Sequence, residues 1–288
     1  NQRRLSYFTQ RGEVLVVESI ATASSFMTGL GVLLAFMLSV ANRKLYVYED
    51  PRIDEVESML PHTNCGACGT AGCRVFAQTL IAGETVPNRC TVNSPEMNLA
   101  IADYLGVDAG DVEKQVARLA CAGGNHVATQ RARYDGMSSC RAAAQVSGGG
   151  KACSWGCLGL GDCQTVCDQD AIHLDRHGLP IVDAALCTAC GDCVEVCPKA
   201  LFSLQPISHH LWVACKNLDA GDEAEAQCDV VCNACGRCAV DAPEDLITMS
   251  ANLAHIDYRK NDLLSKLPIQ RCPTGAIVWL DDGQHVVK

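Results

Sequence analysis

The sequence predicts an α+β fold in which one long apolar helix precedes a series of small units built around cysteine. Three observations support this prediction. Residues 19–41 contain no charged residue, 20 of the 288 residues are cysteine, and aromatic residues make up only 5% of the chain. So few aromatic side chains cannot fill a large conventional core, and thin cores need metal sites or disulfides for stability.

The uncharged stretch Ser19–Ala41 predicts a single membrane-spanning helix within an N-terminal anchor, residues 1–45. As a helix it would extend about 34 Å, which is enough to cross the hydrocarbon of a bilayer. It contains no ionisable residue, so this helix alone is a poor ion carrier. An export signal after Arg3-Arg4 is the alternative, but acidic residues separate that pair from the apolar stretch. We therefore expect an uncleaved anchor.

The cysteines occur in short, regular runs. The clearest is Cys187-x2-Cys190-x2-Cys193-x3-Cys197-Pro198, in which one loop can bind three corners of an iron–sulfur cube while the fourth cysteine ligates a neighbouring cluster. Cysteines on so tight a loop rarely have disulfide geometry, and a zinc site uses two separated pairs. The pattern therefore favours 4Fe-4S clusters and electron transfer. Because 20 cysteines divide into sets of four, we expect five clusters.

The first cysteine group predicts a self-contained cluster module over residues 46–97. Its pattern is Cys65-x2-Cys68-x4-Cys73-x16-Cys90, with glycines between the ligands that let the backbone approach a cluster closely. We expect Cys73 to open a helix.

Residues 98–151 are predicted to be a helical, basic connector with extra cysteines. We expect one helix after Asn98 and a second starting near Asp111. Its later part is basic, although the whole chain has a net charge of −10. Such charges usually form a solvated face; the alternative is a dock for an acidic electron carrier. The candidate docking residues are Arg131, Arg133, Arg141 and Lys151.

Residues 152–206 are predicted to form a two-cluster, ferredoxin-like unit with a short strand after each cysteine group. Crossing of ligands between the two clusters assigns the first set: Cys167, Cys187, Cys190 and Cys193. The second set has three members: Cys157, Cys163 and Cys197. Leu160 occupies the position of its missing ligand, so a substitute must come from elsewhere.

An internal repeat predicts a second, degenerate ferredoxin-like unit over residues 207–288. The spacing Cys140-x12-Cys153-x3-Cys157 recurs as Cys215-x12-Cys228-x3-Cys232. Ala242 replaces the cysteine expected before proline, and no three-cysteine run precedes Cys272. Both losses affect the same cluster, so one should remain, with these ligands: Cys232, Cys235, Cys238 and Cys272.

Two partitions of the remaining cysteines stay open. In the preferred one, Cys121 completes the three-membered set, and a fifth cluster joins the two units through Cys140, Cys153, Cys215 and Cys228. In the other, Cys153 completes the three-membered set and Cys121 replaces it in the fifth cluster.

The order of these parts resembles the B subunit of the Rnf complex, a membrane-bound, ion-translocating ferredoxin:NAD+ oxidoreductase. The resemblance rests on NCGACGTAGC, CLGLGDC and CTACGDCVEVCPKAL, and it extends from about Ser19 to Leu280. It implies a polyferredoxin arm on the cytoplasmic side of the inner membrane. Its implied partners are soluble ferredoxin or flavodoxin and the flavin- and NAD-carrying subunits of the complex.

Several functions are disfavoured. The glycines of WGCLGLGDC lie between cysteines instead of at a strand-to-helix turn, and no Walker loop is present, so NAD and flavin are expected on other subunits. The acidic net charge argues against nucleic acid. We expect histidines such as His62, His209 and His210 to be surface residues. The alternative function is a membrane-tethered polyferredoxin that serves another reductase or a redox regulator.

Overall fold

The computed structural model describes residues 2–45, 49–243 and 245–280, with side chains from residue 22 onwards, in two compact units. The first unit, Asn1–Pro51, contains helix α1, Gln2–Leu45. Its part Thr22–Leu45 is long and apolar enough to cross a membrane, with a mean hydropathy of 1.8. The apolar side chains of this part, such as Phe26 and Leu38, are exposed. The predicted N-terminal apolar helix is therefore present.

The second unit, Arg52–Lys288, begins with a small helical module. Its helices are α2, Arg52–Ser58, α3, Cys73–Ile81, and α4, Pro95–Leu105. The module has its own core, in which Phe76 and Leu80 are almost completely buried. Helix α3 starts at Cys73, as the sequence predicts, so the cysteine lies where the helix meets the preceding glycine-rich loop.

The predicted helix near Asp111 is wrong, because strand β1, Gln115–Leu119, occupies this part of the chain. It pairs in antiparallel register with β4, Phe202–Pro206, with Ala117 opposite Leu204. This pairing joins segments far apart in the sequence and buries Val116 to Leu119, which local helix signals cannot show.

The strands form the same arrangement twice. In the first half, β1 pairs with β4 and encloses the hairpin of β2, Ile172–Leu174, and β3, Pro180–Val182. In the second half the outer pair is β5, Leu211–Val213, with β8, Ile277–Trp279. The inner hairpin of that half consists of β6, Ile247–Ser250, and β7, Leu253–Ile256. The first arrangement begins at Gln115, so the predicted boundary between residues 151 and 152 falls inside it.

Short helices complete the two halves. Within the described residues they are α5, Cys140–Gln145; α6, Asp162–Thr165; α7, Asp192–Val196; α8, Gly221–Glu225; α9, Arg237–Asp241; and α10, Leu267–Arg271. In α5, α6, α7 and α9 the first or second residue is a cysteine, so these helix starts are positioned around the thiols.

The two halves are joined by backbone and indole hydrogen bonds. Trp212 on β5 donates its Nε1–H to the carbonyl of Leu119 on β1 at 2.9 Å. Directly after the two strands, Ala122 N–H donates to the carbonyl of Ala214 at 3.0 Å. A small core that includes Ala120 and Leu280 covers this junction. The cysteines that follow β1 and β5 are thereby brought to the boundary between the halves.

Candidate iron–sulfur centres

The cysteine loops share one backbone device. Ala189 and Gly191 have φ angles of 60° and 97°, and their counterparts Ala234 and Gly236 have φ angles of 62° and 70°. Each glycine immediately precedes a short helix whose second residue is a cysteine. A left-handed alanine costs about 1–2 kcal/mol. Each loop has one left-handed alanine and one left-handed glycine, which curl the chain around its cysteines, and strain of the alanine's kind concentrates at functional sites.

The first candidate site lies in the N-terminal module. Burial raises the pKa of the Cys90 thiol, hydrogen bonds from the next residues oppose this, and the nearby Cys68 and Cys73 thiols raise it further. Cys73 N–H donates to the Asn64 side chain at 2.8 Å, which holds the loop against α3. Cys65 belongs to the same loop and is half-buried. The set is local, as its spacing predicts.

The second site is a cavity of about 340 Å³ lined by all four members of the predicted set: Cys167, Cys187, Cys190 and Cys193. Burial raises the pKa of Cys193 to about 12, and the other thiols around it raise it further. Ala117 N–H on β1 lies 3.5 Å from Cys187 Sγ. Cys190 is exposed, so this site reaches the surface.

The third site corrects both predicted partitions. A cavity of about 330 Å³ is lined by Cys140 together with the three-membered set Cys157, Cys163 and Cys197. Neither Cys121 nor Cys153 lines it. Helix α5 lies against this cavity, and its first residue, Cys140, supplies the fourth thiol. Cys140 lies outside the ferredoxin-like unit in sequence, and no local spacing encodes its contact with the other three.

Asp162 explains how Cys140 is placed. Its carboxylate accepts hydrogen bonds from Cys140 N–H at 2.9 Å, Arg141 N–H at 3.0 Å and the Ser139 hydroxyl at 3.0 Å. Partial burial raises the pKa of Asp162, but these three hydrogen bonds outweigh it, so the pKa lies below its usual value. Asp162 precedes Cys163 in α6, so one side chain ties the two thiol-bearing helix starts together.

A central site lies between the two halves. Its cavity of about 350 Å³ is lined by Cys121, Cys153, Cys215 and Cys228. Each half contributes the cysteine that follows its first strand and a second one from the loop before its cysteine run.

The x12 spacing predicted that Cys140 belongs to this central site, and that prediction is wrong. That spacing aligned Cys140 with Cys215, whereas Cys121 is the counterpart of Cys215 in the structure. The signal that could have identified it is Leu119-Ala120-Cys121 beside Val213-Ala214-Cys215.

The fourth site lies at the far end of the second half. Burial raises the pKa of Cys238 to about 11, and the thiols of Cys232, Cys272 and Cys235 raise it further, so the four predicted members are neighbours. Cys235 is exposed.

Adjacent sites contact each other through their cysteines. Cys157 N–H, in the third site, lies 3.4 Å from Cys121 Sγ in the central one. The same contact recurs in the second half, where Cys232 N–H lies 3.4 Å from Cys215 Sγ. The third and second sites meet where Cys163 raises the pKa of Cys193, whose largest shift comes from burial.

The donor sets fit 4Fe-4S clusters. All 20 cysteines are free thiols in the structure. Among the described residues, no group of three or more His, Cys, Asp or Glu side chains is placed to hold a single metal ion. A zinc ion draws its thiolates to about 2.3 Å, whereas each of three cavities here is lined by four thiols that are not placed to share a single ion. That arrangement suits the larger body of an iron–sulfur cluster.

The predicted docking residues do not behave alike. Arg131, Arg133 and Arg141 are exposed, but Lys151 is only 8% exposed and donates to the Gly123 carbonyl at 2.6 Å. Lys151 is therefore a wrong prediction for a surface dock.

The histidine prediction is also only partly right. His62 is exposed, but His209 is half-buried and its ring stacks on Tyr258 at 3.8 Å between centroids. His210 is likewise half-buried and hydrogen-bonds the Leu280 carbonyl through Nδ1 at 2.9 Å.

The paired sheets and the cysteine sets define an iron–sulfur protein of the multi-cluster, electron-transferring class. Consistent with this, residues 60–92 match the family described as "Putative Fe-S cluster", and residues 180–200 match the 4Fe-4S binding domain.

Comparison with known proteins gives the family. The B subunit of the Na(+)-translocating ferredoxin:NAD(+) oxidoreductase complex of Acetobacterium woodii is 40% identical over 90% of this chain and 78% of its own length. The B subunit of the ion-translocating oxidoreductase complex of Methanosarcina acetivorans is 34% identical, over 85% of this chain and 92% of its own length. The B subunit of the proton-translocating ferredoxin:NAD(+) oxidoreductase complex of Clostridium ljungdahlii is 36% identical, over 89% of this chain and 91% of its own length.

The chain therefore belongs to the family of B subunits of the ion-translocating ferredoxin:NAD+ oxidoreductase, or Rnf, complexes. The resemblance inferred from its motifs is confirmed. It is an iron–sulfur, electron-transfer subunit of an oxidoreductase that is also a translocase.

Proposed function

We propose that this chain relays single electrons through five 4Fe-4S clusters, between a soluble ferredoxin or flavodoxin and the flavin- and NAD-carrying subunits of an ion-translocating complex. The contacts between the five sets of four cysteines carry the proposal: hydrogen-bond contacts join the first set to the second, the third to the central one and the central one to the fourth, and Cys163 of the third set acts electrostatically on Cys193 of the second. A bound cluster supplies a site that accepts and releases one electron without bond rearrangement.

The order of the line follows from those junctions. Thr91, next to Cys90 of the first site, donates its hydroxyl to the carbonyl of Thr188 at 3.0 Å. Thr188 is buried between Cys187 and Cys190 of the second site. The relay then runs from the second to the third, the central and the fourth site. This route places the module nearest the membrane anchor in sequence at one end and the exposed Cys235 at the other.

The protein around the relay would hold the clusters close together and away from water. Short cysteine loops replace the large side-chain core that the composition lacks, so the clusters support the fold as well as the electron path. Burial raises the pKa of Cys157 and of Cys215 to about 12, which agrees with the exclusion of water between the halves.

The membrane arrangement is part of the proposal. Helix α1 would cross the inner membrane once, through Thr22–Leu45, and keep the cluster units on the cytoplasmic side. Arg43 and Lys44 in its last turn agree with the positive-inside rule, and thiolate-bound clusters are normally made in a reducing compartment.

We place the entry of electrons at the exposed arginines Arg131, Arg133 and Arg141. Arg141 follows Cys140 of the third site, so an acidic carrier bound there would lie beside a cluster. Local positive charge also offsets the overall charge of −10, which would otherwise repel such a carrier.

An anaerobic iron and sulfide count on the purified chain tests the proposal. Five clusters require about 20 iron atoms per chain. Co-purification with flavin-containing membrane subunits is expected as well. A preparation with about 16 iron atoms and free thiols at Cys121, Cys153, Cys215 and Cys228 would remove the central cluster and break the line.

A further inference from the structure

Lys151 is one of the two cationic side chains that are buried among the described residues; Arg118 is the other. A lysine is almost never fully buried without a partner, because its ammonium group loses its hydration. Its described partner is neutral, the Gly123 carbonyl, at 2.6 Å from Nζ. None of the carboxylates that the structure describes forms an ion pair with it. No described carboxylate therefore neutralises an ammonium group at this position.

This charge lies against the central site. A Cβ atom built on Gly123 would lie 3.2 Å from Cys228 Sγ and 3.6 Å from Cys121 Sγ, so the carbonyl that receives the ammonium belongs to a residue packed on two of the thiols. Gly123 itself lines the central cavity, together with Cys121, Cys153 and Cys228.

Asn217 adds oriented donors to the same site from the other half of the protein. It is completely buried, its N–H lies 3.4 Å from Cys215 Sγ, and its Nδ2 lies 3.6 Å from Cys153 Sγ. Both halves therefore direct positive charge or N–H dipoles at the central thiols. Reduction adds one negative charge to a cluster held by four thiolates, and cations and donors in a low-dielectric site favour that added charge.

We propose that Lys151 raises the reduction potential of the central cluster, so that an electron in the relay rests preferentially between the two halves. The proposal depends on the proposed function, because it needs a cluster at Cys121, Cys153, Cys215 and Cys228. The electron comes from a neighbouring cluster in its reduced state, and no bond or proton moves.

Three variants test this. Lys151→Gln removes the charge but keeps an N–H donor for the Gly123 carbonyl, and Lys151→Arg keeps the charge. The matched control is Lys216→Gln. Lys216 lines the central cavity and, like Lys151, donates to a carbonyl, that of Ala200, but it is exposed to screening solvent. All three and the wild type are titrated anaerobically with EPR detection, after iron and sulfide analysis.

We expect Lys151→Gln to lower the midpoint potential of one EPR signal by at least about 59 mV, which is a tenfold change in the equilibrium constant of a one-electron reduction. Lys151→Arg and Lys216→Gln should stay near the wild type. The shifted signal should be the one altered in Cys228→Ser. If Lys151→Gln keeps its full iron content and its midpoint potentials do not shift, the inference is overturned. It is also overturned if Lys151→Gln loses about four iron atoms, because Lys151 would then act in cluster assembly. If the wild type lacks the central cluster, the proposed function itself fails.

Discussion

The carboxylate of Asp162 accepts a hydrogen bond from the backbone N–H of Cys140 at 2.9 Å, although the two residues are 22 positions apart. This contact holds Cys140 at the cavity of the third site. The pattern of a two-cluster ferredoxin would place a cysteine at position 160, where this chain has Leu160. Asp162 caps helix α5, and the replacement thiol comes from Cys140 at the start of that helix.

Replacing Asp162 should therefore weaken the third cluster selectively. Asp162→Ala removes acceptors for two backbone N–H groups and the Ser139 hydroxyl, and a lost helix cap costs about 0.5–2 kcal/mol. We expect about four iron atoms to be lost faster to a chelator, with the rest unaffected. Asp168→Ala is the control, because Asp168 is exposed and adjoins Cys167 of the second site. Equal lability in both variants would contradict the capping role.

Double variants test the partition of the ligands. Cys140→Ala and Cys163→Ala should each remove the third cluster, so combining them should remove no more iron than either alone. Cys121→Ala combined with Cys163→Ala should remove two clusters, or about eight iron atoms. If instead the iron losses of Cys121→Ala and Cys163→Ala are not additive, the partition preferred from the sequence would be restored.

The ligand runs could be predicted from sequence because their spacing is local: Cys187, Cys190 and Cys193 lie on one loop, and Cys65 to Cys90 on one module. The division of the remaining cysteines into ligand sets could not be predicted, because it depends on which distant segments meet. The x12 spacing from Cys140 to Cys153 equals that from Cys215 to Cys228 by coincidence of length, while strand pairing makes Cys121 the counterpart of Cys215.

Strand β1 escapes sequence-based prediction for the same physical reason. A five-residue segment has little intrinsic preference, and its partner β4 lies more than 80 residues away, so packing decides its structure. Lys151 differs from its prediction because a basic residue in a basic segment usually lies on the surface. Only the structure shows that Lys151 is buried and donates to the Gly123 carbonyl.

Cys90→Ala should destroy the first cluster and leave the other four assembled. Its site is enclosed by the core of the N-terminal module, around Phe76 and Leu80, and its four ligands are contiguous. We expect a loss of about four iron atoms with unchanged EPR signals from the remaining clusters. Cys90→Ser, which keeps a hydroxyl ligand, is the milder comparison. Loss of every signal together would show that the module and the two halves fold as one unit.

The last prediction concerns the docking of the acidic carrier. Arg131→Glu with Arg133→Glu reverses two exposed charges in the segment that precedes Cys140 of the third site, and it leaves every cysteine intact. Electrostatic steering of this kind changes association rates by about tenfold or more at low salt. Reduction by a soluble ferredoxin or flavodoxin should slow by about that factor, with a weaker dependence on salt than in the wild type.

Reduction by a small neutral dye should be nearly unchanged in this variant, because the clusters are untouched. The matched control is Arg237→Glu with Arg271→Glu, since both residues are exposed and lie beside the fourth site, where Cys235 also reaches the surface. Slowing by the control pair alone would move the entry point to the fourth site. Equal slowing with dye and carrier would show that Arg131 and Arg133 support the fold.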